Sequence, residues 1–397
     1  MKKITVLLLG CLLICGCTKN EYVEPKNITI EENENIYELY KDVFVKDLIK
    51  NEDIEIVNKN KLINTDTIGE NKYTLEYEYN NKKYKHDITY TIKDVTAPIF
   101  IRKISRLNML KDSKDDPCKS IIYSDDYDAL PKCEVVGEYD TSTTGSYNVK
   151  YVLTDTSDNS IESNFTINVI NEMPKNTSSG GGGGTSKLDF STAIERYKNK
   201  DTMVGIDVSK WQGDIDFEKV KNAGCEFVII RMGSNTAPDK DMSEDAYYRT
   251  NLQKAKAAGL KVGIYSYSSA TTPEIARKQA KWMKSVLNKE QFDFPIAFDW
   301  ENWSKFMDYN INLHTLNETF NAFYDELSTD GYSSMLYGSA SYLNNVWENK
   351  FNYPVWLAHY TSKTDYAGEY IMWQMSNTGR IDGINGDVDI DVYFNKN

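Results

Sequence analysis

The chain has 397 residues, 40% of them hydrophobic and 26% charged, with a formal net charge of −13. That length calls for about two or three domains, and the composition is that of a globular protein able to bury a core. The acidic balance counts against nucleic acid as a partner, because phosphate binding needs clustered Lys and Arg.

Lys2 and Lys3 give a positive start, and residues 4–14 form an apolar run too short for an ordinary transmembrane helix. The run ends in Ile14-Cys15-Gly16-Cys17, followed by polar Thr18, Lys19 and Asn20. Residues 1–16 resemble a bacterial lipoprotein signal peptide, although that pattern usually has Ala, Ser or Thr where Cys15 stands. A plain secretory signal cut near the same place is the alternative. The resemblance implies cleavage before Cys17, lipidation of Cys17, and residence on the extracellular face of the cell membrane, facing the wall. Two or more acyl chains would hold the protein there stably, where one would not.

Residues 22–171 are rich in Tyr, Ile, Val and Thr in short alternating runs, such as 73–79 and 147–153. Period two with β-branched and aromatic residues predicts half-buried strands. One short helix is predicted at 39–50. Each run is followed by a turn and a second strand, at 86–93 and 163–170, so one β-unit occurs twice. The expectation is two small all-β sandwiches, 22–95 and 96–171. The join Asp94-Val95-Thr96-Ala97-Pro98 resembles the seam between bacterial immunoglobulin-like surface domains, which implies architecture and not chemistry. Cys118 and Cys133, fifteen positions apart, are placed to form a disulfide worth about 3 kcal/mol in an exported protein. A wall or surface-protein partner is the natural role for such β-domains.

Residues 172–187 contain five consecutive glycines, 180–184, flanked by Ser and Thr, and read as a flexible linker. Together with the β-domains this linker would act as a stalk for the C-terminal module. From 188 to 397 strand and helix patterns alternate: strands at 204–208, 227–232, 262–267, 295–300, 334–337, 355–360 and 370–375, with helices at 217–223, 246–258 and 273–287. Such alternation predicts a mainly parallel sheet closed as a TIM-like, irregular β/α barrel. Cys225 precedes a hydrophobic strand with no His or second Cys near it in sequence, and reads as a buried inert thiol.

The run Phe294-Pro295-Ile296-Ala297-Phe298-Asp299-Trp300-Glu301 ends a buried strand in two carboxylates. Residues i and i+2 of a strand share a face, about 6.5–7 Å apart. In a parallel barrel the C-terminal strand ends form the active face. Two such acids can divide labour, one protonated and one ionised; the alternative is a pair of loop acids capping the next helix. Val204-Gly205-Ile206-Asp207-Val208-Ser209 also ends a strand with an acid.

With these segments, Trp211-Gln212-Gly213, Phe227-Val228-Ile229-Ile230-Arg231, Trp356-Leu357-Ala358, Trp373-Gln374 and Gly386-Asp387-Val388-Asp389-Ile390-Asp391, the module resembles glycoside hydrolase family 25, the Chalaropsis-type lysozymes. The resemblance runs from about 204 to 394. It implies that Glu301 is the general acid, that Asp299 is its partner carboxylate, and that Asp207 and Asp389 complete the acidic site. It also implies hydrolysis of the β-1,4 bond between N-acetylmuramic acid and N-acetylglucosamine in peptidoglycan strands, without metal or other cofactor. The chain departs from the family after Arg231, where Met232-Gly233-Ser234-Asn235 lacks a common acidic residue, and it reads Asp-Trp-Glu for the frequent Asp-Val-Glu.

Tyr265, Tyr267, Trp356 and Trp373 fall at or near predicted strand ends, where rings could stack on sugars; each could equally pack the core or rim. His86, His314 and His359 have no zinc spacing, and no phosphate loop or serine elbow appears. The rival reading is a non-catalytic peptidoglycan-binding surface lipoprotein. It would be favoured by the loss of an acid, and all four are present.

Overall fold

The structure is a computed structural model that describes residues 28–174, 187–348 and 352–395; Cys17 and the glycines at 180–184 lie outside the described residues. The chain forms two compact units, Met1–Val95 and Thr96–Asn397.

In the first unit the alternating runs become a long hairpin, Gly69–Tyr79 and Lys82–Lys93. Asn80 and Asn81 both take positive φ, the conformation that a tight two-residue hairpin turn requires and that asparagine tolerates. Glu55–Ile56 joins one edge, and Ile36–Glu38 joins the other in parallel. The buried face, with Leu75, Tyr77, Ile88, Tyr90 and Ile92, is covered by Leu39, Val43, Val45 and Leu48. The helix expected over 39–50 is only a 3-10 turn, Val45–Leu48. Tyr40 takes positive φ, and Val43 and Val45 are β-branched, so an α-helix is not sustained there.

The β-segment of the second unit repeats the plan. Gly145–Thr154 and Ser160–Ile170 form the hairpin, Lys132–Val136 lies beside the first strand, and Arg106–Leu110 runs parallel to the second. Tyr151 stacks on Phe165 in its core, with ring centroids 3.7 Å apart. A disulfide joins Cys118 and Cys133. A two-stranded sheet, Ile99–Arg102 with Ile122–Ser124, completes the segment. Each β-segment thus carries one four-stranded mixed sheet, where the sequence pattern led to facing antiparallel sheets. Hairpin strands of 10–12 residues consume the chain that a second full sheet would need.

The rest of the second unit is the barrel. Its strands are β1 (Thr202–Val208), β2 (Phe227–Ser234), β3 (Lys261–Tyr267), β4 (Ile296–Asp299), β5 (Ser334–Ser339), β6 (Val355–Ala358), β7 (Met372–Arg380) and β8 (Val388–Phe394). β1 to β7 are parallel neighbours in that order, and β8 lies antiparallel between β7 and β1, closing the sheet. Helices α1 (Phe190–Tyr197), α2 (Phe217–Asn222), α3 (Tyr248–Ala257), α4 (Pro273–Leu287), α5 (Phe306–Tyr309), α6 (Leu313–Ser328) and α7 (Ala340–Asn345) are distributed before and between the strands up to β6. α4 begins as its sequence predicts: Thr272 Oγ1 accepts from Ile275 N, with Pro273 in the first turn.

Residues along the strands alternate between two apolar layers. Val204, Ile206, Val208, Val228, Ile230, Ile296, Phe298, Val355, Leu357, Trp373, Ile390 and Val392 face the helices. Met203, Phe227, Ile229, Tyr265, Ala297, Met335, Tyr337, Trp356 and Met372 fill the barrel interior. Gly205 shares the inward parity, and a Cβ there would lie 2.5 Å from the Phe227 ring and carbonyl. Cys225 is buried, donates to the Phe227 carbonyl at 3.2 Å, and has its thiol pushed up to about 12 by burial.

The β-segment and the barrel share one apolar cluster, in which Ile101 and Ile122 join Trp303, Phe306 and Ile311. Gly205→Ala should destabilise the second unit by about 1–3 kcal/mol through overpacking, measured by denaturant unfolding, because backbone as well as ring blocks the methyl.

Candidate active site

Strand parity collects the acids. Asp207 is the last inward residue of β1, and Asp299 that of β4, with Glu301 two positions on. Since β8 is antiparallel, its N-terminal end meets the C-terminal ends of the other strands, and Asp389 pairs in register with Asp207. Four carboxyls from three separate segments therefore share one rim. Pairwise pKa effects link Asp207, Asp299, Glu301 and Asp389 to one another.

Gln374, inward on β7, ties this rim together. Its Oε1 accepts from the phenols of Tyr337 at 2.8 Å and Tyr360 at 3.0 Å. That fixes the amide so that Nε2 donates to Asp207 Oδ2 at 2.8 Å and to Asp389 Oδ2 at 3.4 Å. Asp391 lies one inward step deeper, fully buried, and its Oδ1 accepts from Trp356 Nε1 at 2.8 Å. Asp391 also hydrogen-bonds Asp207, a contact that favours the protonated form of Asp207 and the ionised form of Asp391. Two carboxyls this close share a proton.

Burial raises the pKa of Asp207, Asp299 and Asp391 well above the usual carboxylate range, and neighbouring carboxylates add to it for each. Arg231 opposes the rise at Asp299. Asp389 is pushed up to about 8 by burial, then by Asp207 and Glu301. Glu301 is exposed to solvent by surface area, but the surrounding groups strip part of its hydration, and its pKa is raised. Asp299 Oδ1 is buried without a hydrogen-bond partner among the described residues.

The strand end that carries the pair is pinned on both sides. Trp300 Nε1 donates to the Ala270 carbonyl at 2.8 Å, and Asn302 Nδ2 donates to the Ser268 carbonyl at 2.8 Å. Arg231 donates through Nε to Asp245 Oδ2 at 2.8 Å, and the same oxygen accepts from Lys210 N at 3.1 Å. Asp245, in the turn before α3, thus engages Arg231 of β2.

Among the aromatic candidates, Tyr265 and Tyr267 lie on the inward face of β3, and burial pushes the Tyr267 phenol up to about 12. Trp356 and Trp373 are corrected. Trp356 is 1% exposed inside the barrel, spending its N–H on Asp391; Trp373 is 4% exposed on the outward face of β7, bonded to the His359 carbonyl. Neither offers a ring face to a ligand. Trp211, 76% exposed directly after β1, and Tyr360, 47% exposed beside Gln374, are the open rings that sequence reasoning did not single out. Gln374, Tyr337 and Asp391 were also passed over; their inward parity with Asp207 and Asp389 was the available signal.

The model of the family described as glycosyl hydrolases family 25 matches residues 206–384. Uncharacterized protein YegX of Escherichia coli K12 is 31% identical over 197 residues, covering 48% of this chain and 70% of that one. The chain belongs to glycosyl hydrolase family 25. The autolytic lysozyme of Clostridium acetobutylicum is 28% identical over 193 residues, which are 48% of this chain and 56% of that protein. The crystal structure of the bacterial lysozyme from Streptomyces coelicolor aligns with 50% of this chain and 94% of its own, at 25% identity and a TM-score of 0.41. As a family 25 member the protein is a glycoside hydrolase of the lysozyme type.

Asp391→Asn should flatten the dependence of stability on pH. Between the unfolded carboxyl value, about 3.9, and its raised native value, the folded state holds the additional proton, so stability falls as pH rises. The variant can still accept from Trp356 but carries no charge. Its thermal midpoint should exceed that of the native chain by a few degrees at pH 8 and by less at pH 5, in parallel calorimetric scans.

Proposed function

We propose that the barrel is an N-acetylmuramidase that hydrolyses the β-1,4 bond between N-acetylmuramic acid and N-acetylglucosamine in peptidoglycan. The observation that carries this is the acid pair at the C-terminal end of β4: Asp299 closes the strand and is buried, Glu301 stands two residues beyond it and is open to solvent, and the two interact electrostatically, in a chain of family 25. Glu301, with its pKa raised by partial loss of hydration, keeps a proton at pH values where an ordinary glutamate has lost it, and can deliver it to the glycosidic oxygen. Asp299, beside it, would face the positive charge that develops on the sugar ring, and its Oδ1 is engaged by no hydrogen bond among the described residues. Asp207 and Asp389, oriented by Gln374, bind sugar hydroxyl or amide groups at the same rim. Trp211 supplies an exposed face for a pyranose ring.

The N-terminal sequence supports attachment through lipidated Cys17, which would hold the enzyme on the extracellular face of the membrane opposite its substrate.

Purified full-length protein and its Glu301→Gln variant should be incubated with peptidoglycan and the products identified by mass spectrometry. New reducing ends on N-acetylmuramic acid, released by the native chain and at least about a hundredfold slower by the variant, are expected. Reducing N-acetylglucosamine ends would reject the bond assignment, and equal rates would reject Glu301 as the acid. The alkaline limb of the native rate profile should lie above the ordinary glutamate value, since activity is lost only as pH rises through the raised pKa of Glu301. Trp211→Ala should raise KM several-fold and leave kcat nearly unchanged, the pattern for lost ground-state binding.

A further inference from the structure

We infer that the β-segment preceding the barrel, 99–170, is a fixed brace that holds the stretch following Glu301 and thereby positions that acid. Its contacts converge on three consecutive residues. Ser124 Oγ lies 3.4 Å from the Ile311 carbonyl, Asn312 Nδ2 donates to the Tyr127 carbonyl at 2.7 Å, and Leu313 N donates to the Asp125 carbonyl at 2.8 Å. Ser124 and Asp125 are buried. The amide of Leu313 is one of the orphan donors at the start of α6, so the β-segment supplies a partner that the helix itself cannot. Asn312 has two tasks, because its Oδ1 caps α6 by accepting from Thr315 N at 2.7 Å.

The apolar side of the joint leads back to the catalytic strand. Ile122–Ser124 packs against α5, and Ile99–Arg102 packs against α7. Tyr342 of α7 stacks on Trp303 at 3.8 Å, and Trp303 meets Trp300 edge-on at 4.8 Å. Trp300 and Trp303 bracket Glu301 in sequence. Asn302 and Trp300 tie this stretch to the loop after β3, and the brace grips it from the side of α5, α6 and α7. Without the brace, Ile101 and Ile122 would leave an apolar patch beside Trp303 and Phe306, and 302–313 would lose its outer wall. The positioning role rests on the assignment of Glu301 as the acid; the docking does not.

The full chain, carrying a protease site in place of 180–184, tests both parts. Once cut, the native pieces should co-elute on size exclusion and keep their kcat. Asn312→Asp preserves the cap of α6 but sets an acceptor against the Tyr127 carbonyl in place of a donor. In the uncut chain it should speed hydrogen exchange over 302–313 and lower kcat about tenfold with KM unchanged, as a misplaced catalytic group does. Ile122→Ala should act in the same direction. Separation of the cut native pieces, with full kcat retained by the barrel piece, would overturn the brace. Unaltered exchange over 302–306 in both variants would overturn the positioning role even if the glycan assay failed for the native chain.

Discussion

The backbone ladder between β8 and its two neighbours is the constraint on which the rest depends. Seven parallel strands leave two open edges, and a strand entering from the opposite direction satisfies both. Reversal has a chemical result as well as a structural one. It brings the beginning of β8 to the rim formed by the ends of the other strands, so Asp389 stands beside Asp207. It also sends Asp391 down into the barrel, where a further parallel strand would have carried its residues in the opposite order.

Once the sheet is closed, alternation does the sorting. Residues of one parity pack against helices in a layer of Val, Ile, Phe and Trp, and those of the other parity meet inside. The interior is apolar low down and acidic at the rim, with Trp356, Tyr337 and Gln374 between the two. Trp356 and Gln374 donate N–H groups to these carboxyls, and Tyr337 holds the Gln374 amide by donating to its oxygen, which lowers the cost of burying the acids without a full counterion. Arg231 is the nearby cation, and Asp245 already engages it. The resulting acids are reluctant to ionise, the condition that proton donation requires.

Much of this was legible in the sequence. Apolar runs ending in Asp207 and in Asp299-Trp300-Glu301 marked strand ends on an active face, and Gly205 made sense once Phe227 was found against it. The direction of β8 was not legible, because Val388-Asp389-Ile390-Asp391-Val392 alternates identically whichever way the strand runs. Trp373 lies near a strand end but has the outward parity, which proximity alone does not reveal, and its neighbour Gln374 holds the inward position. The helix α6 fell in a stretch where no strand pattern prompted a search, despite the capping residue Asn312. The repeat in the β-segments was visible, whereas the parallel pairing of Ile36–Glu38 and Arg106–Leu110 depends on long-range register that no local pattern encodes.

Residues 175–186 join two elements that are already in contact, since the β-segment ending at Ile170 and the barrel beginning at Thr202 share an apolar cluster. A connection of this kind closes a loop, and its length matters little, because each doubling adds only about 0.6 kcal/mol of closure entropy. Lengthening this connection should therefore cost the second unit little stability.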